Sequence, residues 1–131
     1  MSTNLRFLGG ASEVGRIGAV LEGDNGRLLL DYGLQPDDPP KSPLPAPEVD
    51  ALLLTHAHLD HAGATAELSR ILNVHIEGPH KDDMFLIESL EEQGKKYNFS
   101  PAESFKTSRF LEGGDEVKIG NQIFGVRHCP G

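Results

Sequence analysis

Three imidazoles and one carboxylate fall within six residues, at His56-Ala57-His58-Leu59-Asp60-His61. Neutral imidazole nitrogen and carboxylate oxygen are donors for a borderline divalent ion, zinc above all, with iron and manganese tolerated by the same set. The spacing adds direction. In an extended segment His56 and His58 point the same way, because side chains alternate with period two. Asp60 and His61 fall where the chain turns into a helix, so they aim at a neighbouring point. The four donors therefore divide into two pairs, which suits two ions about 3.5–4 Å apart bridged by a water. The chain holds six histidines and nine aspartates in 131 residues. At that composition a chance match is on the order of one in a thousand. The stretch reads as a metal site for one or two ions per chain.

The elements around it are legible from periodicity. Ala51 to Thr55 is an apolar run that reads as a buried strand delivering the metal loop from its C-terminal end, where open α/β sheets place their sites. Before it, Leu5 to Leu8 and Ile17 to Glu22 read as strands. The hairpin turn Gly23-Asp24-Asn25-Gly26 leads into a third strand, Arg27 to Asp31. The segment from Gln35 to Pro47 carries six of the nine prolines, so it can be neither helix nor central strand and reads as a surface connection. After the metal loop, Ala64, Leu68, Ile71 and Leu72 recur at helical spacing. Val74 to Glu77 reads as a short strand, and Lys81 to Gln93 as a helix stopped by Gly94. Asn98 to Arg109 reads as loop. Glu116–Ile119 and Gln122–Arg127 flank Gly120-Asn121 as a hairpin. Antiparallel strands followed by β-α-β-α make an α+β chain with a mixed sheet.

Composition bounds the rest. One domain, residues 1–131, is what the length allows, and it can bury a real core. The formal charge is −8, from 20 acidic and 12 basic residues. The basic residues are scattered rather than gathered into a stripe, which argues against nucleic-acid binding by this chain. No apolar run approaches the roughly 18–20 residues of a membrane span. The opening residues lack the apolar core of a secretory signal, and the single cysteine, Cys129, fits a reducing compartment, so the expected location is the cytoplasm.

With its preceding strand, the H-x-H-x-D-H stretch resembles the second motif of the metallo-β-lactamase superfamily. The resemblance implies that His56 and His58 hold one metal and Asp60 and His61 a second. It also implies that Asp60 acts catalytically by holding the attacking water. Asp31, closing Arg27-Leu28-Leu29-Leu30-Asp31 before Tyr32-Gly33, matches the family's first motif, an acid that braces the metal loop from behind. The implied fold is half of an αββα sandwich, with helices on one face of a mixed sheet. Phe7-Leu8-Gly9-Gly10-Ala11-Ser12-Glu13-Val14-Gly15-Arg16 and Leu28 to Gly33 resemble the β-CASP ribonucleases. Four later stretches resemble glyoxalase II-type thioesterases: Ala66-Glu67-Leu68, Ile76-Glu77-Gly78-Pro79-His80-Lys81-Asp82, Phe110 to Asp115, and His128-Cys129-Pro130-Gly131. A change of likeness near residues 55–65 implies an engineered or recombined chain, with a natural sequence of mixed features as the alternative. By the same resemblance, the histidine completing the first metal would follow Gly131, and a later Asp and His would complete the second.

The reading that follows is a metal-dependent hydrolase-type domain, with a small-molecule thioester favoured over RNA as substrate. The competing reading is a weakly active or inactive metal-binding half-domain that self-assembles. His128 is the best late candidate for a further contact with the metals, and His128 with Cys129 would also make a chemically reasonable zinc pair. His80, just before a helix, reads as a cap or solvent contact, with the rim of the site as the lesser alternative, and His75 as an ordinary structural or surface histidine. Leu28-Leu29-Leu30 and Leu52-Leu53-Leu54 are apolar on both faces, as expected of a sheet covered on both sides. With two helices able to cover only one face, the other is expected to be bare and to drive a homodimer.

Overall fold

A computed structural model gives the fold and describes residues 2–35, 37, 39–97 and 102–130. Strands β1 (Asn4–Gly9), β2 (Gly18–Gly23) and β3 (Gly26–Tyr32) form an antiparallel meander. β3 then pairs in parallel with β4 (Ala51–Leu53), and β4 with β5 (Ile76–Glu77), giving the order β1-β2-β3-β4-β5. Helices α1 (Leu59–Ala62) and α2 (Thr65–Leu72) make the crossover from β4 to β5. A 3-10 turn at Lys81–Asp83 leads into α3 (Met84–Glu88) and α4 (Leu90–Lys96). The antiparallel hairpin β6 (Glu116–Ile119) and β7 (Gln122–Gly125) forms a separate two-stranded sheet. The mixed sheet with helices is the expected architecture.

The leucine triplets divide between two faces, as the pleat requires. Leu29 and Leu52 are fully buried in the main core with Val20, Leu34, Leu68, Ile87 and Leu90. Burial of this completeness contributes about 1.5–3 kcal/mol per side chain. Leu28 and Ala51 face the other way and pack with Ile119, flanked by Leu21, Leu30, Leu53 and Phe124. The second face is therefore not bare, contrary to expectation: the β6–β7 hairpin lies on part of it, and Leu28 is only 2% exposed. The hairpin's own alternation supplies the reason, since Val117 and Ile119 are buried while Glu116 and Lys118 are exposed. Between hairpin and sheet runs a groove of about 1020 Å³, lined by Leu30, Leu53 and Phe124 and reaching His56 and His58.

Two other expectations change. The helix expected over Lys81 to Gln93 is broken at Ser89, which ends α3 and precedes α4. The Ser89 hydroxyl donates to the Leu86 carbonyl at 3.0 Å and accepts from Gln93 Nε2 at 2.7 Å, while its backbone keeps the bonds to Phe85 O and from the Gln93 N–H, so the interruption is local. Gly94 does not stop α4. It is buried within α4. The strand expected over Val74 to Glu77 is regular only at Ile76–Glu77. Part of the expected loop from Asn98 to Arg109 lies outside the described residues; from Ala102 onward it is irregular apart from one bridge between Arg109 and Glu77. Among the described residues no helix is long and apolar enough to cross a membrane.

Candidate metal centre

The metal loop is fixed from behind by a buried acid. Asp31, only 3% exposed, ends the regular part of β3 in the left-handed conformation, φ 56°, which Asp tolerates better than most residues. Its carboxylate accepts the Thr55 backbone N–H at 2.8 Å and the Thr55 hydroxyl at 2.7 Å. Its Oδ2 also lies 2.8 Å from His61 Nδ1. Asp31 thus ties the chain leaving β4 to the helix that follows. β4 itself is extended by the Leu54 N–H donating to Glu77 O at 2.9 Å. Ala57, fully buried, donates its N–H to Asp83 Oδ2 at 3.2 Å.

α1 begins at His58, whose carbonyl accepts from the N–H groups of His61 at 2.9 Å and Ala62 at 2.8 Å. The helix is clamped against the meander from three sides. Ile17 N–H donates to Asp60 O at 2.9 Å, Leu34 N–H to Leu59 O at 3.0 Å, and Ala64 N–H to Tyr32 O at 3.0 Å. The approach is so close that a Cβ on Gly33 would lie 1.7 Å from the Asp60 carbonyl oxygen. Only glycine fits there.

This scaffold brings His56, His58 and Asp60 together, with one donor atom from each lying within 4.8 Å of the others. The His56 and His58 rings meet edge-on at 5.0 Å, and His56 lies 3.7 Å from the His61 ring. His61 is arranged differently from the other three. Its Nδ1 is taken by Asp31, while Nε2 faces Asp60 Oδ2 at 3.7 Å. Asp60 therefore stands between the two groups, grouping with the first histidine pair while facing His61, rather than belonging to one pair alone. The donor chemistry fits a divalent ion: two imidazoles bordering a groove, a carboxylate beside them, and a third imidazole oriented from behind by an acid.

The electrostatics follow from burial and neighbours. His56 has its pKa lowered, first by burial and then by the nearby His61 ring, against the opposing pull of Asp31. For His61 burial also disfavours the charged ring, but the hydrogen bond and charge of Asp31, with the charge of Asp60, outweigh it and raise the pKa. The two acids beside His61 thus favour its charged form, and protons compete with an ion for the ring.

His128 lies with a different set. Its ring stacks on His80 at 3.7 Å with an 8° tilt, and its donor atoms group with His80 and Asp82 rather than with His56, His58 and Asp60. His75 is exposed, 4.0 Å from Glu77 Oε1. In the segment Gly9 to Arg16, Glu13 accepts from Gly10 N–H and from Arg16 Nε at 2.7 Å, so those groups are engaged with one another. Sequence reading missed Thr55 and Asp83 as anchors of the loop. Nothing local marks either of them, because their partners are 24 and 26 positions away in the chain.

The profile of the metallo-beta-lactamase superfamily matches residues 19–131, and the chain belongs to that superfamily. Among curated relatives, hydroxyacylglutathione hydrolase GloC of Haemophilus influenzae is 40% identical over 81 residues, covering 61% of this chain and 38% of that protein. RNase aCSPSF2 of Saccharolobus solfataricus is 31% identical over 147 residues, covering 100% of this chain and 30% of that protein. The ribonuclease likeness is thus not confined to the N-terminal part. The subclass B3 metallo-beta-lactamase BJP-1 of Bradyrhizobium japonicum superimposes with a TM-score of 0.67 at 23% identity, over 94% of this chain and 48% of that one. The di-zinc class B3 enzyme LRA-12, from an Alaskan soil metagenome, gives 0.67 at 20% identity, over 99% and 51%. These two likenesses concern the fold. The chain spans about half the length of the solved structures and less than half of the curated relatives it matches.

Proposed function

We propose that this chain is the metal-holding part of a hydrolase acting on a small-molecule thioester, with His56, His58, Asp60 and His61 as the ligand set for one or two zinc ions. The observation that carries this is the convergence of His56, His58 and Asp60, with both histidines lining the groove and His61 held by Asp31 behind them. A bound divalent ion supplies polarisation of the scissile carbonyl and a water acidic enough to attack near neutral pH. The chain's own residues do the rest. Asp60 accepts a hydrogen bond from the attacking water and fixes its direction. Asp31 holds the His61 proton on Nδ1, which leaves Nε2 turned toward Asp60. Leu30, Leu53 and Phe124 keep the groove apolar beside the reacting bond.

The groove favours a small acyl compound over RNA. Among its described lining residues Arg127 is the one lysine or arginine, set against Asp82 and Asp83. A phosphate backbone calls for several basic contacts. The relative named as a hydroxyacylglutathione hydrolase supports the thioester reading. The likeness to RNase aCSPSF2 along the whole chain supports RNA cleavage as the second reading. Metal binding with little turnover, accompanied by pairing of two copies through the leucine side chains that the hairpin leaves uncovered, is the third. Zinc-loaded protein assayed against a hydroxyacyl-glutathione thioester and a single-stranded RNA separates them. Thioester hydrolysis abolished by Asp60→Ala is the expected result. RNA cleavage with the same dependence supports the second reading, and full zinc occupancy without either activity supports the third.

A further inference from the structure

Outside the metal loop, His80, Asp82 and His128 form a second group of metal donors, each offering one atom within 4.8 Å of the others. The three come from two distant parts of the chain. His80 precedes the 3-10 turn Lys81–Asp83, Asp82 lies within it, and His128 follows the β6–β7 hairpin. All three line the groove that His56 and His58 also reach. His80 Nδ1 already faces Asp82. It accepts the Asp82 N–H at 3.2 Å and lies 3.4 Å from Oδ2. Two ligands bonded at about 2.0–2.1 Å to a tetrahedral ion sit roughly 3.4 Å apart, so this N,O pair stands at the required bite. The His128 ring, stacked on His80 at 3.7 Å, is exposed and turns about its side-chain bonds to bring a nitrogen to the same point. Cys129, also exposed, follows directly in sequence.

We propose that His80, Asp82 and His128 make a second divalent-cation site, separate from the metal loop, which takes a borderline ion such as zinc at the groove's rim. The ion takes the His80 Nδ1 lone pair now shared with the Asp82 N–H, and that amide, in an exposed turn, passes to water. Binding there opens the His80–His128 stack and ties the segment after the hairpin to the turn before α3. It therefore closes one side of the groove.

The test uses the whole chain carrying His56→Ala and His58→Ala, titrated with zinc alone, with bound metal measured after equilibrium dialysis and histidine ring protons followed by NMR. The expected result is that this variant still binds zinc, that the His80 and His128 ring signals shift together, and that adding His128→Gln removes both effects. Asp82→Asn, an exposed substitution, should weaken the same binding without lowering the thermal midpoint. Unmoved His80 and His128 signals, or a His80 shift that survives His128→Gln and Asp82→Asn, overturns the proposal. Because Asp60 and His61 remain in that background, the His80 and His128 ring signals, not total metal, distinguish the rim site from the loop.

Discussion

Replacement of Asp31 by Asn tests whether the metal loop is oriented by a buried acid or merely packed in place. Asp31 is 3% exposed and accepts from Thr55 N–H, the Thr55 hydroxyl and His61 Nδ1, at 2.8, 2.7 and 2.8 Å. Hydrogen bonds to a charged group contribute about 1.5–3 kcal/mol each net, and three that share one carboxylate do not add fully. Asp31→Ala strands buried donors and should cost about 3–4 kcal/mol, a large fraction of the roughly 5–15 kcal/mol a domain has. Asp31→Asn is gentler, because its amide oxygen keeps the Thr55 N–H, and it should cost about 1.5–3 kcal/mol. Its amide nitrogen can only donate. Turned toward His61, it makes Nδ1 an acceptor and moves the ring proton to Nε2, the nitrogen that faces Asp60. Zinc affinity should then fall by about 10–100-fold. Urea unfolding gives the stability change, competition against a chromophoric chelator gives the affinity, and long-range nitrogen–proton NMR reads the tautomer. An Asp31→Asn variant with unchanged zinc affinity and stability within about 0.5 kcal/mol of the parent would refute the argument.

Replacing His56 and His58 together by Ala should remove most zinc bound at the loop while leaving the fold intact, measured by metal content against the circular dichroism spectrum; undiminished loop binding would sink the ligand assignment. Gly33→Ala forces a Cβ to within 1.7 Å of the Asp60 carbonyl, so it should destabilise by about 2–4 kcal/mol and also weaken zinc binding, whereas a near-neutral melt would show that α1 is free to move. Tyr32, buried, with its hydroxyl donating to the Leu44 carbonyl at 2.9 Å, has its pKa raised, first by burial and then by the charge of Glu67. The unfolded chain ionises near pH 10 while the folded one resists, so this contribution is complete below that pH and is lost as pH climbs through the folded value. Tyr32→Phe should therefore lower stability by about 1 kcal/mol at neutral pH and flatten the alkaline slope, both read from unfolding curves. If two copies pair through the leucine side chains beside the hairpin, light scattering should report a particle heavier than the 14.2 kDa chain, and Leu53→Glu should return it to that mass.

The sequence by itself determined what the backbone period controls. Strand alternation places His56 and His58 on one side, the turn into α1 redirects Asp60 and His61, and the apolar triplets at Leu28–Leu30 and Leu52–Leu54 require cover on both faces. Those features depend on neighbours a few residues apart, so they survive without knowledge of packing. Helix continuity was less legible: the run is interrupted at Ser89, where the side chain bonds to Leu86 and Gln93, and Gly94 lies inside α4 instead of ending it. Tertiary structure alone decided that the β6–β7 hairpin lies over Leu28, that Thr55 and Asp83 anchor the loop, and that His128 meets His80 instead of His56. Each of those contacts joins residues far apart in the chain. Which apolar faces meet is settled by shape and buried area over the whole molecule, and no local pattern of residue types encodes that choice.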